Sequence, residues 1–297
     1  MEFLSDLLKV IVLSIVEGIT EFLPVSSTGH LIIVNEFLKL GPESFANSFN
    51  VIIQLGAILS VVVIYFARLN PFPKAKLVNG DWPDKLKDKS TEHRGAKKIY
   101  YWFTHNATAA LWLKILVALI PSVVLGLLFD DKIEELLFHP TPVAIALIFY
   151  GIVIILMERK NKDKEDFKYN DPAQVSFKTA FLIGCFQVLA MWPGTSRSAA
   201  TIIGGMVLGL NRSSAAEFSF FLAIPTMIGA SILKLVKMEP LLASQWILLI
   251  IGFILSFVVA YVVIKKFLNY VQKNDFQPFG YYRIVLGILV LIIFAIK

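Results

Sequence analysis

Pro24-Val25-Ser26-Ser27-Thr28-Gly29 and Trp192-Pro193-Gly194-Thr195-Ser196-Arg197-Ser198 decide the architecture of this chain. Each interrupts a long apolar region, residues 3–40 in the first case and 177–210 in the second. Six further runs have the character of bilayer spans, for which roughly 20 apolar residues are needed. They cover residues 46–66, 110–129, 142–157, 215–235, 246–264 and 281–296. The fold expected is an all-α polytopic membrane protein.

Composition agrees. Of 297 residues, 57% are hydrophobic and only 17% charged, against about 25% charged in soluble domains. The net charge of +6 lies in short stretches between apolar runs, so it reads as a topology signal and not as a nucleic-acid footprint. Cys185 is the single cysteine. It excludes an internal disulfide and offers no metal-binding pattern. Residues 1–5 lack Lys and Arg, and Glu2 and Asp6 are acidic, so the first segment is expected to stay in the mature protein and not to be cleaved as a signal.

Loop charges set the expected orientation. The loop 68–109 holds nine Lys/Arg, 158–176 holds five and 265–280 holds three, whereas 130–140 and 237–243 hold one each. The positive-inside rule places the first three in the cytoplasm. Span 46–66 then runs outside to inside, and span 215–235 inside to outside. Each broken region therefore fits a re-entrant pair that returns to its own side. The result is an inverted-topology repeat, residues 1–157 and 177–297, within one integral membrane domain covering 1–297. At a shift of 169 residues Leu13 matches Leu182, Pro24 matches Pro193, Ser27 matches Ser196 and Phe49 matches Phe218.

The breaks also carry the chemistry. Glu17 and Glu21 share one helix face, one turn apart, and carboxylates within a membrane segment are costly unless paired or solvated. Pro24 ends that helix. Ser26, Ser27 and Thr28 can cap the next one, Gly29 permits close approach, and His30 falls in its first turn. A capped helix start is a ready anion site. In the second break Pro193-Gly194 stops a helix, Thr195 and Ser196 can cap the next, and Arg197 offers a planar fork that suits phosphate oxygens. A structural ion pair of Arg197 with Glu17 or Glu21 is the plainer reading. Lys265 and Lys266 are expected to snorkel, Arg212 and Glu217 to pair with each other, and His93, His105 and His139 show no ligand spacing.

These motifs resemble those of the undecaprenyl-diphosphate phosphatases, also called the bacitracin-resistance family. The resemblance rests on Glu17-Gly18-Ile19-Thr20-Glu21, the run to His30, Val51-Ile52-Ile53-Gln54-Leu55-Gly56, and Pro193-Gly194-Thr195-Ser196-Arg197-Ser198-Ala199-Ala200-Thr201. It covers nearly the whole chain. The lysine-rich loop 68–109 is the main departure. The resemblance implies a bacterial plasma-membrane enzyme that hydrolyses undecaprenyl diphosphate to undecaprenyl phosphate and inorganic phosphate. That reaction recycles the lipid carrier for peptidoglycan synthesis, and extra enzyme lowers bacitracin sensitivity. It further implies dependence on a divalent cation and a site facing the outer side.

Catalytic roles are expected for Glu17, Glu21, Ser27, His30 and Arg197. Substrate contacts are expected from Ser26, Thr28, Gln54, Gly194, Thr195, Ser196, Ser198 and Thr201. Glu17 and Glu21 would repel a diphosphate, so a bridging Mg²⁺ or Ca²⁺ is the natural solution. Three attackers stay open: Ser27 with His30 as its base (the reading favoured here), His30 itself, or metal-bound water. The partners expected are a polyprenyl diphosphate lipid and membrane lipids, with no nucleic acid; a homodimer is left open. A transporter of a lipid phosphate or other anion is the rival class, because broken helices in inverted repeats are also a transporter pattern. A structural scaffold would leave the buried charges unexplained.

Overall fold

The computed structural model describes residues 2–71, 106–162, 166–236 and 240–296. Most of the basic loop 68–109, with His93 and His105, lies outside the described residues. Among those described the chain is helical, with no strand and one isolated bridge between Tyr169 and Leu210. The helices are α1 (Glu2–Thr20), α2 (Ser27–Phe37), α3 (Glu43–Ile64), α4 (Phe66–Leu69), α5 (Ala107–Leu137), α6 (Pro140–Lys160), α7 (Phe177–Val188), α8 (Arg197–Val207), α9 (Arg212–Val236), α10 (Ala243–Val271) and α11 (Gln277–Ala295).

Six of them, α3, α5, α6, α9, α10 and α11, are long and apolar enough to cross a membrane. These are the six runs read from the sequence, and the chain is a multi-pass membrane protein. Their outer faces carry large apolar side chains at helical spacing, for example Ile250, Ile254, Val258 and Val262 on α10. Such a stripe suits lipid, not water. Of the helices in the broken regions, α1 has 19 residues and the other three are shorter. α2, α7 and α8 have 11, 12 and 11 residues. At 1.5 Å per residue each extends about 17 Å, roughly half a bilayer core.

The two halves are interlaced. α1 packs against α10 of the second half, and α7 packs in the same way against α5 of the first. α2 folds back on α1 as α8 does on α7. Two pairs close the structure, α3 with α9 and α6 with α11. The α6–α11 pair is tight because glycines meet there: a Cβ on Gly151 would stand 2.7 Å from the Gly280 carbonyl oxygen. Phe22, in the first break, lies edge-on to Phe220 of α9 with ring centroids 5.4 Å apart. The apolar core thus runs from one break into the opposite half.

Charges cluster at the ends bearing the basic loops. Arg212 and Glu217 were expected to pair with each other, and they do not. Each takes another partner, because both begin α9 on different faces. Arg212 makes a forked contact with Glu158 at 2.6–3.0 Å, and Glu158 also accepts from the Phe276 backbone N–H at 3.0 Å. Glu217 pairs with Arg68 at 2.6 Å, and Arg68 reaches Asp171 at 2.6 Å. Lys265 donates to Tyr261 Oη at 2.6 Å at the end of α10.

The Glu158 side chain is 0% exposed, so its carboxylate depends on Arg212. Removing one partner of a buried pair leaves an uncompensated charge. Arg212→Ala is therefore expected to lower folding stability by about 3 kcal/mol, read as a depressed thermal midpoint in detergent. An unchanged midpoint would show that the pair does not hold α6, α9 and α11 together.

Candidate functional site

The breaks form because proline cannot continue a helix. Its ring clashes with the carbonyl four residues back. For Pro24 that residue is Thr20, where α1 ends. For Pro193 it is Leu189, where α7 gives way to a 3₁₀ turn, Leu189–Met191. The chain then turns sharply and starts a new helix. Ser26 and Ser196 make that turn, each at φ 73°, and they are the only non-glycine residues with positive φ among those described. Each caps its helix: Ser26 Oγ accepts from Gly29 N–H, and Ser196 Oγ from Ala199 N–H, both at 3.2 Å. Such backbone positions are held only where their surroundings over-determine them.

The caps correct the register of the repeat. Ser26 and Ser196 are equivalent, so the shift at the breaks is 170 residues and not 169. The first helical residues then correspond, Ser27 with Arg197. One break presents a hydroxyl where the other presents a guanidinium.

Side chains from the two breaks meet. Ser27 Oγ donates to Glu21 Oε2 at 2.7 Å. Arg197 Nη2 reaches the other oxygen of Glu21 at 3.3 Å. Arg197 Nη1 donates to the Ser219 carbonyl of α9 at 3.0 Å, and its Nε has no hydrogen-bond partner. Ser198 Oγ donates across the breaks to the Leu23 carbonyl at 2.8 Å. A cavity of about 190 Å³ opens here, lined by Glu21, Ser27, Thr28, Gln54, Gly194, Ser196 and Arg197, with Ala190 and Met227. At about 30 Å³ per water molecule, that admits a diphosphate. A hydroxyl, a carboxylate and an arginine around such a space can hold a phosphate group and move a proton from the hydroxyl.

Other expected site residues stand behind this wall. Ser26, Thr195, Ser198 and Thr201 are buried. Thr201 Oγ1 donates to the Arg197 carbonyl at 2.8 Å and can accept from Ser219 Oγ at 2.7 Å, so it braces α8 against α9. Glu17 lies one turn before Glu21, whose N–H donates to the Glu17 carbonyl at 3.0 Å. Its side chain is fully buried, and neither carboxylate oxygen has a hydrogen-bond partner.

The hydrogen bonds of His30 go elsewhere than to Ser27. Its Nδ1 lies 2.7 Å from the Ser26 carbonyl oxygen, which can only accept, so Nδ1 carries the proton. Nε2 is then the acceptor for Tyr282 Oη at 2.6 Å, and the two rings stack with centroids 5.6 Å apart. Glu21 occupies the place beside Ser27 that the sequence reading gave to His30.

Sequence reasoning missed Tyr282 and Arg283, adjacent on α11. Arg283 is 0% exposed. It donates to the Gly194 carbonyl at 2.8 Å, the Pro24 carbonyl at 3.2 Å and the Leu147 carbonyl at 3.5 Å. An arginine inside a spanning run was the signal that could have found it.

Broken helices, capped turns and a charged cavity between them define an integral membrane protein built to handle an anion at its centre. Comparison with known proteins narrows this. The model of the bacitracin resistance protein BacA family matches residues 10–289, and the chain belongs to that family. It is 50% identical over 293 residues to undecaprenyl-diphosphatase 1 of Clostridioides difficile, covering 98% of this chain and 97% of the relative. It is 47% identical to the undecaprenyl-diphosphatase of Limosilactobacillus fermentum, covering 98% of each. For that of Streptococcus thermophilus the identity is 48%, over 100% of this chain and 96% of the relative.

Tyr282→Phe keeps the stacked ring and deletes one hydrogen bond to His30. A net hydrogen bond is worth about 1 kcal/mol, so activity is expected to fall about fivefold with the fold intact. Steady-state phosphate release by the variant checks this; wild-type turnover would show that His30 needs no hydrogen-bond donor at Nε2.

Proposed function

We propose that this chain hydrolyses undecaprenyl diphosphate to undecaprenyl phosphate and inorganic phosphate, returning the lipid carrier to peptidoglycan synthesis and conferring bacitracin resistance. The observation that carries the reading is the Ser27–Glu21–Arg197 arrangement across the cavity, in a chain about half identical to relatives named undecaprenyl-diphosphatase. The relatives lend no support to the transporter reading.

The chemistry follows from the contacts. The terminal phosphate sits against Arg197 and the N-terminal turns of α2 and α8, where free N–H groups favour an anion. Ser27 Oγ attacks the terminal phosphorus. Its proton passes to Glu21 Oε2, to which it is already hydrogen-bonded. The bond from phosphorus to the bridging oxygen breaks, and undecaprenyl phosphate leaves with that electron pair. Water then cleaves the serine phosphate ester and frees inorganic phosphate. His30 fixes the turn at Ser26 and takes no proton from Ser27.

A divalent cation fits this site on one structural ground: Glu17 offers two buried oxygens without partners. Glu17 and Glu21 would hold it. Among the described residues no three His, Cys, Asp or Glu converge, so its remaining ligands would be phosphate oxygens and water, as is usual for Mg²⁺. Bound there, it would neutralise charge on the diphosphate.

The proposal extends to placement. The chain resides in the bacterial plasma membrane, and α1–α2 and α7–α8 are re-entrant pairs. The half-bilayer lengths of α2, α7 and α8 support this, and α1 at 19 residues is the longer arm of its pair. On this reading the cavity opens to the outer side; Gln54, halfway along α3, puts it at mid-depth, and Met227, just past the middle of α9 and away from the basic loops, is consistent with that side. The isoprenoid tail lies along apolar helix faces.

The test is phosphate release from purified protein in detergent, supplied with undecaprenyl diphosphate. Release is expected, and a chelator is expected to stop it. Ser27→Ala and Glu21→Gln should each lose about a hundredfold or more, the usual worth of an attacking group's base. An acid-stable phosphoenzyme would identify serine as the attacker. An acid-labile one would move the attack to His30 and overturn the assignment.

A further inference from the structure

We infer that Arg283 is a positioning residue for this reaction: through the carbonyls of Pro24 and Gly194 it fixes the first break against the second, and so sets Ser27 against Arg197. The inference rests on the site proposed above and adds to it a group that touches neither substrate nor Ser27.

The backbone creates the need. A helix that stops inside an apolar region leaves carbonyls without N–H partners, and each costs free energy unless something donates to it. Pro24 and Gly194 are such residues, one in each break. Arg283 donates to both, at 3.2 and 2.8 Å, and takes a further carbonyl, Leu147, at 3.5 Å. The planar fork matters, because its donors point in fixed and separate directions.

The surroundings leave Arg283 little freedom. It is the largest fully buried side chain in the described structure. No carboxylate pairs with it among the described residues, in contrast to Arg68, Arg197 and Arg212. Gly194 lies at φ +93°, and a Cβ there would come within 2.5 Å of the Val143 carbonyl oxygen. The second break is thus pressed onto α6, the helix that also supplies Leu147. The close α6–α11 packing then brings Arg283 to the seam. Its neighbour Tyr282 holds His30 from the same turn of α11.

A residue that sets geometry should act on turnover more than on affinity. Misplacing reacting groups by about 1 Å can cost a hundredfold in rate. Lysine keeps the charge but offers one compact ammonium, which cannot hold separate carbonyls in the way a fork does.

The test uses the full-length chain in detergent, with wild type, Ser27→Ala, Arg283→Lys and Arg283→Gln assayed on undecaprenyl diphosphate. For Arg283→Lys, kcat is expected to fall about tenfold or more while KM changes less than about threefold. The thermal midpoint should stay within a few degrees of wild type. Arg283→Gln gives the same reading if the lysine variant does not fold. Wild-type kcat in either variant would overturn the inference. So would a raised KM at constant kcat, which would make Arg283 a binding group. Aggregation of both variants would reduce it to a folding residue and overturn the inference equally. Ser27→Ala separates the two levels: if it turns over normally, the proposed site itself fails, whatever Arg283 does.

Discussion

Two helices are cut inside an apolar layer, and every polar group freed by the cut must find a partner within the protein. Most of the unusual features near the centre answer that demand. Ser26 and Ser196 adopt strained backbone angles and turn their hydroxyls onto Gly29 and Ala199. Ser198 reaches the Leu23 carbonyl in the opposite break. Arg283 takes one carbonyl from each side. The groups left over are instructive. Both oxygens of Glu17 and the Nε of Arg197 are buried without partners. Arg197 lines the cavity, and Glu17 stands one helical turn behind Glu21, which also lines it.

Charge is arranged on the same plan. Glu21 divides its two oxygens between Ser27 and Arg197. The contact to the hydroxyl is short and that to the guanidinium is long. Arg197 is therefore held in place more by the Ser219 carbonyl than by its ion pair. A phosphate entering the cavity can take over the long contact without dismantling the short one. The ion pairs near the basic loops differ: Glu158 is saturated by Arg212 and the Phe276 N–H, and these groups serve packing.

Much of this was legible in the sequence because intramembrane polar residues are rare and therefore conspicuous. The six spans, both breaks and the convergence of Glu21, Ser27 and Arg197 followed from hydropathy, proline and charge. Three things did not. The shift of the repeat reads as 169 residues because Pro24 and Ser27 match Pro193 and Ser196; the caps differ by one, since the second break has a glycine where the first has its proline. Ser27 and His30 have the spacing of neighbours on a helix face, but the helix starts at Ser27, and the His30 ring is drawn back to Ser26 and across to Tyr282. Arg283 lies two residues inside its expected span, where a cation normally snorkels to the interface. Its burial and its bonds to the Pro24 and Gly194 carbonyls show that it points inward.

The interlacing of the halves has a consequence for biogenesis. The ribosome delivers α1 long before α10, the helix it packs against, exists. Glu21 and Arg197 are 176 residues apart in the chain, so the first break enters the membrane with its carboxylates unmatched. The first half alone accordingly cannot form the cavity, and its last brace, Arg283, comes with the final helix.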